Sequence, residues 1–125
     1  MADTCTCAAA PVLIFPCSGG SNVGQIANQA AVELTKEGVG KLFCLAGIGG
    51  HVESFIESSK GNRLVVIDGC PTACAKKIFD HVNLPVTDYI VVTGLDIKKN
   101  HNFDLERKDI EKVCAEVKKR LQCNL

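Results

Sequence analysis

The stretch Arg63-Leu64-Val65-Val66-Ile67-Asp68-Gly69-Cys70-Pro71-Thr72-Ala73-Cys74 reads as a buried strand that stops at Asp-Gly and opens into a helix. An aliphatic run without polar alternation is the pattern of a strand covered on both faces, as in a parallel sheet. The strand delivers Cys70 to the sheet edge, and Cys74, four residues on, is expected on the same face of the helix. N–H groups at a helix N-terminus favour thiolate over thiol, and thiolate is the form that binds soft metals or attacks electrophiles.

Two further apolar runs carry a cysteine at or near their ends. Val12-Leu13-Ile14-Phe15 is followed by Cys17 and the glycine-rich turn Ser18-Gly19-Gly20-Ser21. Lys41-Leu42-Phe43-Cys44-Leu45-Ala46 holds Cys44 ahead of Gly47-Ile48-Gly49-Gly50.

Around these runs the chain alternates. Residues 1–10 read as a flexible tail and residues 11–125 as one domain. Strands are expected at about 11–16, 41–46, 63–68 and 88–93, and helices at about 22–37, 50–59, 71–82 and 105–121. Pro71 suits an early helical position. Four βα units predict an α/β three-layer sandwich around a mainly parallel four-stranded sheet, Rossmann-like or flavodoxin-like, with right-handed crossovers. Ligands of such sheets bind outside the strands' carboxyl ends where strand order reverses. With order 2-1-3-4, Cys17, Cys70 and Cys74 share one pocket, while the parity of Cys44 within its strand stays open.

The composition narrows the function classes. A chain of 125 residues with 46% apolar and 22% charged residues and zero formal net charge describes one globular domain. It has no basic stripe for nucleic acid, no apolar run of membrane length and no signal-peptide pattern at its start. The expectation is a cytoplasmic protein with neither a nucleic-acid nor a membrane partner. In a reducing compartment eight cysteines point to metal binding or thiol chemistry rather than to disulfides.

Pro16-Cys17-Ser18-Gly19-Gly20, Cys44-Leu45-Ala46-Gly47-Ile48-Gly49, Asp68-Gly69-Cys70-Pro71-Thr72-Ala73-Cys74 and Tyr89-Ile90-Val91-Val92-Thr93 resemble the DGC-domain family over roughly residues 11–125. The resemblance implies zinc binding, with Cys17, Cys44, Cys70 and Cys74 as the motif cysteines. It names no reaction. Four thiolates in tetrahedral array suit zinc, and an iron–sulfur cluster is less expected because no run of closely spaced cysteines occurs. His51, at the start of the second helix, is the replacement should Cys44 point into the core. Cys5 and Cys7 lie in the tail, Cys114 fits the core face of the last helix, and Cys123 reads as a near-terminal surface thiol.

Other residues carry weaker signals. Asp68 caps its helix or holds a ligand from behind. His101 lies in the polar connection after the last strand and reads as a plain loop residue or, as the lesser alternative, one that closes over the pocket, and His81 as structural. The turn from Ser18 to Gly24 either cradles an anion or simply positions Cys17, and it lacks the P-loop and dinucleotide signatures. No arginine follows Cys17 to make a phosphatase loop, and no C-x-x-C pair suggests thioredoxin exchange. Three function classes result: a zinc-binding protein for metal handling or sensing, a thiol enzyme or persulfide carrier using Cys70, and an interaction module with a protein partner in a redox assembly.

Overall fold

The computed structural model describes residues 11–122. Four strands, β1 (Val12–Pro16), β2 (Lys41–Leu42), β3 (Arg63–Asp68) and β4 (Asp88–Val91), form one sheet in the order β2-β1-β3-β4, every pair parallel. The central pair runs in register from Val12 opposite Arg63 to Pro16 opposite Ile67. The two strands therefore end within one residue of each other.

Alternation within these short strands sorts the core into two halves. Ile14, Val65, Ile67 and Ile90 face α1 (Asn22–Lys36) and α5 (Arg107–Leu121). Leu13, Phe15, Leu64 and Val66 face α2 (Leu45–Gly49), α3 (Glu53–Ser59) and α4 (Cys74–Val82), where Phe79 meets Phe15 edge-to-face at 4.9 Å. This is the expected three-layer α/β arrangement. Cys114 is buried between α5 and α1, its thiol 3.7 Å from the Ala30 carbonyl.

Four elements differ from the sequence reading. The strand expected at 41–46 stops at Leu42, because Phe43 swings its ring into an edge-to-face contact with Phe15 at 5.6 Å and the chain turns into α2. Within α2, Gly47 makes room for the Phe55 ring, from which a Cβ would lie 2.1 Å. Cys44 is thus an exposed residue ahead of a short helix, not a mid-strand one. The helix expected at 50–59 begins only at Glu53, after His51 at φ 61°, and a separate short helix, α2, precedes it. The helix expected at 71–82 begins only at Cys74, after Ala73 at φ 58° has turned the chain. Lastly, β4 closes into a 3₁₀ turn over Val92–Leu95 instead of extending to 93.

Phe79 is fully buried against Phe15. Phe79→Ala should lower unfolding free energy by about 3–5 kcal/mol in urea titrations, the usual cost of an emptied aromatic site.

Candidate functional site

Parallel β1 and β3 leave the sheet side by side, and their following turns pass so closely that neither has room for side chains. A Cβ at Gly24 would lie 2.5 Å from the Gly19 backbone, and one at Gly69 would lie 2.8 Å from Gly24 N. The sheet's hydrogen-bond ladder continues past the strands: Cys17 N–H donates to the Ile67 carbonyl at 2.9 Å, and Gly69 N–H donates to Cys17 Sγ at 3.3 Å. Cys17 is therefore fixed by main chain from both turns. Burial pushes its thiol pKa up, opposed by N–H donation from Gly19 and Gly69, while nearby Asp68 and Cys74 push it further up.

Cys70 stands apart from the helix. Ala73 N–H donates to the Cys70 carbonyl at 3.1 Å, closing a turn through Pro71 and Thr72. Cys70 and Cys74 consequently do not share a helix face. The helical N–H groups expected to acidify Cys70 are taken by Asp68, which accepts from Ala75 at 2.9 Å and from Lys76 at 3.0 Å. Tyr89 OH donates to the same carboxylate at 2.8 Å, so Asp68 is both helix cap and buried support of the site. Burial, followed by the Asp68 carboxylate, pushes the Tyr89 hydroxyl pKa up.

The Cys70 thiol is acidified by other means. Its Sγ lies 3.4 Å from Thr72 Oγ1 and 3.5 Å from Lys99 Nζ. The Thr72 hydroxyl lowers its pKa most, followed by the Thr72 N–H, and the Lys99 ammonium lowers it further. Adjacent thiols are thereby driven in opposite directions: Cys70 down, Cys17 up.

Cys17, Cys70 and Cys74 line one cavity of about 210 Å³, together with Thr72, Lys99 and His101. Cys44 lines a second, apolar cavity of about 530 Å³ with Phe43, Leu45 and Ile78, and Cys17 forms part of its wall as well. His51 packs edge-to-face on His81, ring centroids 5.1 Å apart. His81 is seven residues beyond Cys74 in α4, roughly 10 Å along the helix, so His51 is not brought to the three thiols. His101, read as a plain loop residue, reaches the cavity wall. Cys5, Cys7 and Cys123 lie outside the described residues.

Four amides of the glycine turn are already taken within the protein. Gly19 N–H donates to Cys17, Ser21 N–H to Gly19, Asn22 N–H to the Asn100 carbonyl and Gly24 N–H to Ser21 Oγ. These bonds help to place Cys17. Lys99, Thr72 and Tyr89 were missed in the sequence. The available signal for Lys99 was its position in the polar connection after the last strand, at the ligand-binding edge of the sheet.

Residues 13–117 match the DGC domain. The chain belongs to the DGC-domain family. A relative of this DGC-domain protein is the anaerobic and virulence modulator AnvM of Pseudomonas aeruginosa, 31% identical over 110 residues that cover 87% of this chain and 84% of AnvM. No solved structure matches.

Zinc can be tested against this geometry. Three thiols on one cavity are the right donor type. As the side chains stand, however, among the described residues no group of three or more His, Cys, Asp or Glu side chains is placed to hold a metal ion. The described helices also include none long and apolar enough to cross a membrane.

Asp68 supplies both oxygens to the α4 N-terminus. Asp68→Ala should cost about 1–3 kcal/mol of stability and speed hydrogen exchange at the Ala75 and Lys76 amides before exchange elsewhere in α4.

Proposed function

We propose that this DGC-domain protein works through a reactive thiolate at Cys70, as a carrier of sulfane sulfur. The observation that supports this is the setting of one sulfur: part-exposed, beside the Thr72 hydroxyl and the Lys99 ammonium, with two more thiols on the same cavity. A low-pKa, accessible thiol next to other thiols is the arrangement thiol exchange requires. The Cys70 thiolate attacks the outer sulfur of a persulfide donor R–S–SH. A new S–S bond forms, the donor's S–S bond breaks, the donor departs as R–S⁻, and Cys70 is left as a persulfide. Passing that outer sulfur to an acceptor thiolate reverses the step and regenerates Cys70. AnvM is described as a modulator, and a thiol that changes state without turnover is consistent with such a role.

A second reading is favoured by the convergence of three thiols on one cavity: thiolate binding of zinc. Cys17, Cys70 and Cys74 would supply sulfurs, and Cys44, across Cys17 in the neighbouring cavity, is the fourth candidate. A bound zinc would hold these thiols as thiolates and quench their nucleophilicity.

One experiment separates the readings. Reduced protein is treated with iodoacetamide below the ordinary thiol range of about pH 8.5, and the labelled peptides are mapped. Because the folded Cys70 pKa is lowered, Cys70 should keep reacting as pH falls, while Cys17 and Cys114, both raised by burial, fall silent. Labelling of exposed Cys44 or Cys74 ahead of Cys70 would overturn the carrier reading. Stoichiometric zinc that suppresses Cys70 and Cys74 labelling supports the zinc reading, and unchanged rates refute it. In that reading Cys70→Ser or Cys74→Ser loses zinc affinity by orders of magnitude, whereas Cys114→Ser costs chiefly stability.

A further inference from the structure

Lys99 is held over the Cys70 cavity by a residue far away in sequence. Asn22, 7% exposed at the start of α1, grips the segment on both sides of Lys99. Its Nδ2 donates to the Lys98 carbonyl at 2.8 Å, its Oδ1 accepts from Asn100 N–H at 2.6 Å, and its own N–H donates to the Asn100 carbonyl at 3.0 Å. Asn100 Oδ1 and Asn102 Oδ1 accept from the N–H groups of Asn102 and Asp104, which shapes the chain beyond the grip. With residues 98 and 100 fixed, Lys99 is directed at Cys70, Nζ to Sγ 3.5 Å.

The charge at this cavity is then lopsided. Asp68, the carboxylate of its wall, has its oxygens taken up by two helical N–H groups and Tyr89 OH. Among the described residues Lys99 is paired with no carboxylate. A cavity of about 210 Å³ lies below the range of drug-sized ligand sites, roughly 300–1,000 Å³, and admits only a small molecule.

We infer that the Cys70 cavity selects small anionic electrophiles, with Lys99 recognising the negative charge and Asn22 positioning Lys99. The inference rests on Cys70 being the attacking group. An anion sets its charge against the ammonium and presents its electrophilic atom to the adjacent sulfur. A neutral molecule of the same size gains no charge attraction from Lys99.

The test compares two alkylating agents, anionic iodoacetate and neutral iodoacetamide, at one pH on the full chain. In both reactions the Cys70 S–C bond forms, the C–I bond breaks and iodide leaves, so the fraction of Cys70 ionised cancels from the ratio of rates. The reference is the same ratio for Cys70 in the denatured chain. Native Cys70 should favour iodoacetate by about fivefold over that reference, as expected for one charge pair about 4 Å apart near water. Lys99→Met should return the ratio to the reference. Asn22→Ala should lower it in the same direction and add almost nothing on top of Lys99→Met. Should Asn22→Ala fail to fold, Asn22→Ser and slow exchange of the Asn100 amide in the native chain carry the positioning claim. A native ratio equal to the reference, or one unmoved by Lys99→Met, overturns the anion selectivity. An Asn22 variant that keeps the native ratio, or a rapidly exchanging Asn100 amide, overturns the positioning role. Failure of Cys70 to react first with iodoacetamide defeats instead the carrier reading on which this rests.

Discussion

Everything at the site depends on two turns passing within backbone contact. The parallel register sets β1 and β3 to end opposite each other, at Pro16 and Ile67, so both turns start from one level and compete for the same space. Glycine at 24 and 69 removes the side chains that would hold them apart. What closes the remaining distance is hydrogen bonding that outlasts the strands, first from Cys17 N–H to Ile67 and then from Gly69 N–H to the Cys17 sulfur. A side chain here completes a main-chain ladder. The thiol cavity, the cap of α4 and the approach of Lys99 are all built around that junction.

The central architecture was legible because its signals are redundant. Arg63–Asp68 and Val12–Pro16 are apolar runs ending in turn residues, and strands of this kind fit a doubly covered parallel sheet. Their order then brought Cys17, Cys70 and Cys74 to one edge, where the structure has them. Residues 41–46 were misread because apolar content alone does not separate a short edge strand from a buried helix start. Phe43 is apolar because it fills space beside Phe15 and Phe55, not because it continues a strand. The start of α4 was misread for a different reason: Ala73 adopts a left-handed conformation that nothing in its own chemistry announces. Lys99 was invisible because its position is dictated by Asn22, more than seventy residues away in the chain, through bonds that leave no local pattern.

The two cavities give the cysteines different neighbourhoods. Cys70 and Cys74 sit in a polar space with Thr72, Lys99 and His101, whereas Cys44 opens on aromatic and aliphatic surface. Cys17 is the partition between them. Its thiol is shielded and raised in pKa, so it suits accepting a bond from a neighbour better than starting one.

The chain contains one tyrosine and no tryptophan. That tyrosine, Tyr89, donates its phenol proton to Asp68, the carboxylate that caps α4 two residues before Cys70. Ultraviolet emission of the native protein therefore comes from a ring wired into the site. A carboxylate hydrogen-bonded to a phenol is an efficient excited-state proton acceptor, so the emission starts out quenched, and any event at Cys70 that shifts Asp68 would brighten it without an added dye.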